Sequence, residues 1–188
     1  MPEMMTPRFG ILFRFKFPFH PACCRKRWCI HTCSRSYCVN LKHHKGMKAI
    51  EILVIDDDSD DVQFFQQALN DAMPEFTLLA FFDAEAAFTH LERRVQDGEP
   101  LPDAIVTDLN MPRVEGHRVI SYLKANAHFH HIPVIVVSVS KRGEDSEKSF
   151  MLGASGYFVK PLRDEDWFPI IQSISDLVDQ SRTERTAF

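Results

Sequence analysis

The sequence predicts an α/β fold: a doubly wound parallel sheet of five strands with helices on both faces. Three observations lead to it. Short apolar runs recur at 52–55, 105–106 and 132–137. Strands without polar alternation are buried on both faces, as in a parallel sheet between helical layers. The segments between them repeat their apolar residues every three or four positions, the period of a helix with one buried side. This alternation of strand and helix occurs five times between residues 51 and 178. It calls for right-handed crossovers, and the order adopted for the five strands is 2-1-3-4-5, one of the common doubly wound arrangements.

The first strand (Ile52, Leu53, Val54, Ile55) runs into Asp56-Asp57-Asp58. Ser59 is the expected N-cap of the first helix, and Asp60 and Asp61 suit its positive end. That helix buries Val62, Phe65, Leu69 and Ala72 and is stopped by Pro74. A second strand covers 76–81. Asp83 caps a helix striped by Ala84, Ala87, Phe88, Leu91 and Val95, which ends at Asp97-Gly98. The third strand is Ala104-Ile105-Val106-Thr107, followed by Asp108 and by turn formers at Asn110 and Pro112. Beyond Gly116, Val119, Ile120 and Leu123 mark a third helix. Strand four ends in Ser138, and a short helix over 144–152 stops at Gly153. Gly156-Tyr157-Phe158-Val159 is the fifth strand and leads into Lys160-Pro161. The last helix carries Trp167, Ile170, Ile171, Ile174, Leu177 and Val178, with Pro169 tolerable only in its first turn.

Charge divides the chain unevenly. Ten of the 22 Lys/Arg but one of the 26 acids lie in residues 1–48, so that part carries +9 and the remainder −13. An acidic domain is a poor nucleic-acid surface, because phosphate contacts need a basic one. All five Cys (23, 24, 29, 33 and 38) precede the fold, so it has no disulfide framework and suits a reducing cytoplasm. No apolar run is long enough to span a membrane. Residues 1–46 are therefore expected to be a basic, Cys-rich leader. It is either disordered or upstream sequence read from a start codon ahead of the natural-looking Met47-Lys48-Ala49-Ile50-Glu51. The Cys spacing lacks the knuckle of zinc modules. The alternating Phe13, Phe15, Phe17 and Phe19 look like a strand with nothing to pair with. The domain proper is expected over 47–180, with a polar tail at 181–188.

Functional groups gather where strands end. Asp56 and Asp57 follow the first strand, Asp108 the third, Ser138 the fourth and Lys160 the fifth. Open α/β sheets place their sites at the carboxyl ends of strands, where first and third are neighbours. Three converging carboxylates repel one another unless a cation intervenes. Mg²⁺ suits one or two carboxylates, a carbonyl, waters and phosphate oxygens. A carboxylate nucleophile, an ammonium and a hydroxyl donor are the parts needed to form and hold an acyl phosphate. The cluster His128, His130 and His131 lies in a loop without a nearby carboxylate and reads as surface.

Four separated stretches, Val54-Ile55-Asp56-Asp57-Asp58, Thr107-Asp108-Leu109-Asn110-Met111-Pro112, Val137-Ser138 and Tyr157-Phe158-Val159-Lys160-Pro161, resemble the marks of the receiver domain of two-component response regulators, in order and spacing. The resemblance covers about 48 to 180 and implies a flavodoxin-like fold. It implies that Asp108 is the phosphoacceptor, that Asp56, Asp57 and Asp108 hold Mg²⁺ with the backbone carbonyl of Asn110, and that Lys160 binds the phosphoryl group. Ser138 and Tyr157 become the switch hydroxyl and switch aromatic. The chain looks most like stand-alone receivers, including those paired with bacteriophytochromes. The expected partners are a sensor histidine kinase or phosphotransferase and a downstream protein met through the fourth helix, fifth strand and fifth helix, with a homodimer as one form of that contact; nucleic acid and membrane are not expected. Catalysis beyond self-phosphorylation and self-dephosphorylation is not expected either. Val139 departs from the small residue usual there. Two alternatives stay open: an aspartyl-phosphate phosphohydrolase, which usually carries a second acid where Asn110 stands, and a receiver-like interaction module that is never phosphorylated. The resemblance also implies a cis Lys160–Pro161 bond.

Overall fold

The computed structural model of the chain describes residues 11–13, 50–72 and 76–186. In chain order the elements are β1 (Ile11–Phe13), β2 (Ile50–Ile55), α1 (Ser59–Ala72), β3 (Phe76–Phe81), α2 (Ala84–Asp97), β4 (Ala104–Thr107), α3 (Gly116–Ala125), β5 (Val134–Ser138), α4 (Gly143–Met151), β6 (Gly156–Val159), a 3₁₀ turn (Asp164–Trp167) and α5 (Phe168–Thr186). The sheet order is β1-β3-β2-β4-β5-β6. Strands β2 to β6 are mutually parallel, and they reproduce the expected order 2-1-3-4-5.

Strand alternation divides the core. Ile52 and Val54 of β2 face α1, the 3₁₀ turn and α5, where Phe65, Leu69, Trp167, Ile171 and Ile174 are buried. Leu53 and Ile55 point the opposite way, toward Phe88, Leu91, Ile120 and Leu123 of α2 and α3. Local chemistry fixes the helix ends. Asp83 accepts a 2.8 Å hydrogen bond from the Glu85 N–H at the start of α2, and Gly98, at φ 68°, closes its end in the left-handed conformation that favours glycine.

Three expectations are corrected. Ile11–Phe13 does find a partner: it pairs antiparallel with β3, Leu12 opposite Leu79. β3 would otherwise be an outer strand with one row of unpaired backbone groups. The rest of the expected leader lies outside the described residues, as does Pro74. Secondly, no tail begins at 181. α5 runs on to Thr186, because Arg182 donates from Nε (3.0 Å) and from a terminal nitrogen (2.7 Å) to the two carboxylate oxygens of Asp103. Thirdly, no peptide bond among the described residues is cis, so Lys160–Pro161 is trans. The lysine needs no cis turn to face the site: its N–H is held by the Ser138 carbonyl at 2.8 Å, and its side chain already reaches the carboxylates.

The Asp103 cluster closes the base of the sheet. Asp103 also accepts from the Glu51 N–H at 3.0 Å, and Glu51 pairs with the buried Arg94 guanidinium. Truncation after Gln180 should therefore cost about 1–3 kcal/mol, the scale of hydrogen bonds to charged groups. Chemical denaturation of the two chain lengths measures it, and equal midpoints would rule out an anchoring role for Arg182.

Candidate functional site

Parallel pairing brings the acidic residues together. Ile55 stands opposite Thr107 in the β2–β4 ladder, so Asp56 and Asp108 each follow the last paired residue of adjacent strands. The Asp108 N–H continues the ladder to the Ile55 carbonyl, and the Asp56 N–H does the same to Phe81, both at 3.0 Å. Each carboxylate is then braced locally. Asp56 Oδ1 accepts from the Asp58 N–H at 3.0 Å, and Asp108 Oδ1 from the Leu109 N–H at 2.6 Å. Ligand oxygens of Asp56, Asp57 and Asp108 lie within 4.8 Å of one another, with Asp56 and Asp108 buried and Asp57 exposed.

Lys160 enters from the end of β6 with its side chain only 7% exposed. Its Nζ stands 2.8 Å from Asp56, 3.2 Å from Asp108 and 2.6 Å from Asp61. Burial opposes a charge on this lysine, but the hydrogen bonds and charges of the carboxylates outweigh it and hold its pKa above the ordinary value. Burial acts the other way on Asp56: despite Lys160, it raises that carboxyl to about 6. Such an electron-rich, partly desolvated trio fits a hard divalent cation with oxygen ligands.

Ser138 is fully buried at the end of β5. Its hydroxyl oxygen accepts from Asn110 Nδ2 at 3.1 Å and from the Ser140 N–H at 3.5 Å. Tyr157 sits apart from the carboxylates. Its hydroxyl donates to the Ser140 carbonyl at 2.9 Å, and burial raises its pKa. Ser140 in turn donates from Oγ to Asp145 on α4 at 2.6 Å. Hydrogen bonds thus run from Asn110 through Ser138 and Ser140 to α4. Val139 is 61% exposed and lines an open groove with Lys160, Pro161 and Leu162.

All seven residues expected from the sequence lie at the carboxyl end of the sheet: Asp56, Asp57, Asp108, Asn110, Ser138, Lys160 and, one step out, Tyr157. Three contributors were not expected. Asp61 reads in sequence as a helix-dipole acid, and its contact with Lys160 spans 99 positions. Ser140 has no motif of its own. Gly116 was noted only as a helix start. It packs so closely under the site that a Cβ there would overlap the Asp108 carbonyl oxygen and lie 2.7 Å from Leu109 Cα.

Comparison with known proteins agrees with this geometry. The model of the response regulator receiver domain matches residues 52–172. Response regulator Rcp1 of Synechocystis sp. (strain ATCC 27184 / PCC 6803 / Kazusa) is 29% identical over 124 residues, 65% of this chain and 84% of that protein. The crystal structure of its Mn²⁺-bound form superposes with a TM-score of 0.59 at 28% identity, over 66% of this chain and 91% of that one. The phosphorylated cyanobacterial phytochrome response regulator RcpA gives 0.61 at 26% identity, over 69% and 93%.

Proposed function

The chain belongs to the response regulator receiver domain family, and from that premise we propose that it is a single-domain regulator charged on Asp108. The observation that carries this is the convergence on Asp108, itself 6% exposed, of the Asp56–Asp57 pair and the Lys160 ammonium at 3.2 Å. A carboxylate oxygen of Asp108 attacks phosphorus. The new O–P bond forms as the donor's P–N bond to a phosphohistidine breaks, and the electron pair leaves with the imidazole, which takes up a proton. Lys160 neutralises phosphoryl oxygens, and Ser138 Oγ–H offers them a donor once its side chain turns from Asn110. This is catalysis chiefly by positioning and charge. Mg²⁺ would be held by Asp56, Asp57, Asp108 and the Asn110 carbonyl, and when bound it supplies charge neutralisation of the phosphoryl group. The Mn²⁺-bound form of Rcp1 supports a divalent ion in such a site.

The donor is a sensor histidine kinase or phosphotransferase, and the relation to a phytochrome response regulator favours a light-sensing one. The output is protein contact through α4, β6 and α5, where Phe150, Met151, Val159 and Phe168 are exposed. The chain of hydrogen bonds through Ser138, Ser140 and Tyr157 supplies the link to α4. The receiver unit spans 47–180 together with the end of α5, and it takes in the strand Ile11–Phe13 from the expected leader 1–46. No helix among the described residues is long and apolar enough to cross a membrane, and we place the protein in the cytoplasm. The family is a signalling one, and we assign no reaction beyond the making and loss of its own phosphoaspartate. Asn110, where a phosphohydrolase would carry a second acid, weighs against turnover of other substrates.

Acetyl phosphate with Mg²⁺ tests this. The wild-type chain should accumulate one acid-labile phosphoryl group, and Asp108→Asn should carry none. Turnover of donor without accumulation would make the protein a phosphohydrolase, and an unlabelled wild type would make it an interaction module.

A further inference from the structure

Lys160 has no donor to spare. An ammonium carries three N–H groups and no acceptor, and three carboxylates surround this one: Asp61 at 2.6 Å, Asp56 at 2.8 Å and Asp108 at 3.2 Å. A phosphoryl group arriving on Asp108 brings further oxygens, so a donor must first be released. The lysine side chain is 7% exposed and lies in a recess lined by Val54, Phe65, Val106, Val137 and Trp167, where water offers it little replacement for a lost partner.

The three partners differ in what their release costs. Asp56 and Asp108 have side chains 8% and 7% exposed, and Asp61 is 31% exposed. Stripping the lysine from either of the first two leaves a buried carboxylate uncompensated, which is expensive. Asp61 lies on the first turn of α1, outside the trio that clusters for a cation, and on release its carboxylate can hydrate. The shortest of the three contacts is therefore also the one most readily surrendered.

We propose that Asp61 is a positioning residue: it holds Lys160 in the resting state and competes with the phosphoryl group for its ammonium, so setting how readily Asp108 is charged. This rests on Asp108 being the phosphoacceptor and names a control on that same site. When Asp108 is charged, the N–H shared with Asp61 passes to a phosphoryl oxygen and Asp61 turns to water. Asparagine at 61 keeps the shape and one oxygen acceptor but loses the charge that makes the hydrogen bond strong. The competitor is weakened while the lysine stays paired with Asp56 and Asp108.

The test compares wild type, Asp61→Asn and Asp60→Asn. Asp60 is the exposed neighbour on α1 and carries the same charge without bonding Lys160. Two quantities are read with Mg²⁺ present: the initial rate of labelling by acetyl phosphate, and the affinity for the phosphoryl analogue beryllium fluoride. A third, the Tm, is read without added metal. Asp61→Asn should raise rate and affinity together by about fivefold or more, the difference between a charge-assisted hydrogen bond and the neutral one that asparagine keeps in the competing state, while lowering the metal-free Tm modestly. Asp60→Asn should leave rate and affinity near wild type. A merely structural Asp61 would lower the affinity or leave it unchanged, and either result overturns the proposal. So does an equal rise in Asp60→Asn, which would make the effect one of net charge. If the wild type takes no label, or Asp108→Asn retains it, the phosphoacceptor assignment itself fails and this control fails with it; a labelled wild type with an indifferent Asp61→Asn removes the control alone.

Discussion

Gly116→Val should destabilise the protein by about 3 kcal/mol, the upper range for forcing bulk into a filled site, and should all but abolish labelling of Asp108. A Cβ at 116 overlaps the Asp108 carbonyl oxygen and lies 2.7 Å from Leu109 Cα and 2.9 Å from the Asp108 carbonyl carbon. These are backbone atoms, so no rotamer relieves the clash. The Gly116 N–H also donates to the Leu109 carbonyl at 3.1 Å, which ties the start of α3 to the loop that aims Asp108. A side chain must push that loop and the Asp108 carboxylate away. Gly143, the first residue of α4, is the control: nothing lies within 4 Å of a Cβ there, and Gly143→Ala should be neutral or slightly stabilising. Denaturant midpoints and acetyl phosphate labelling decide the matter. Wild-type stability in Gly116→Val would show that the loop yields freely and that Gly116 positions nothing.

Asp56→Asn should stabilise the metal-free protein at neutral pH while removing most of its stabilisation by Mg²⁺. The folded protein raises the Asp56 carboxyl from 3.8 to about 6, through burial and, more weakly, the charge of Asp108, with Lys160 offsetting part of the rise. The native state therefore holds this proton more tightly than the unfolded chain does. The stability that comes from the neutral carboxyl is complete below pH 3.8 and is lost as pH rises through about 6. At pH 7 the wild type bears that loss and the amide does not, which gives an advantage on the order of 1–3 kcal/mol that should vanish near pH 4. A cation bound to the native state stabilises it by mass action, so millimolar Mg²⁺ should raise the wild-type Tm and scarcely move the variant. Equal Mg²⁺ responses would remove Asp56 from the cation site, and a variant less stable than wild type at pH 7 without metal would overturn the burial cost assigned to its carboxylate.

The sheet and most of the site were legible in the sequence because one physical rule served both. Strands buried on two faces are written as unbroken apolar runs, so the polar residue that ends each run (Asp56, Asp108, Ser138, Lys160) marks the sheet's carboxyl edge without further information. What escaped was decided between elements. Asp61 suits a helix N-terminus in any protein, and only the fold, which brings the start of α1 and the end of β6 to the same edge of the sheet, sets it against Lys160. Arg182 looked like part of a polar tail until Asp103, 79 positions away, supplied its partner. The strand at 11–13 needed an exposed sheet edge to add to. A cis Lys160–Pro161 bond was expected from the resemblance, because X-Pro bonds adopt cis at modest cost, and because a turn there would aim the lysine at Asp108. The trans bond leaves the lysine as well placed as the cis one was expected to.

The Asp103 cluster lies at the opposite end of the strands from Asp108. There Arg182, Asp103, Glu51 and Arg94 bind the end of α5, β2 and α2 with charges already paired. At the other end acids crowd around one lysine. The molecule is thus clamped at one pole and electrostatically tense at the other. Local opening falls where stabilising contacts are fewest, so a rearrangement on the proposed charging of Asp108 can remain in the loops above the sheet while the base keeps its register. Such a division lets a receiver change its outward face repeatedly without placing its folded core at risk.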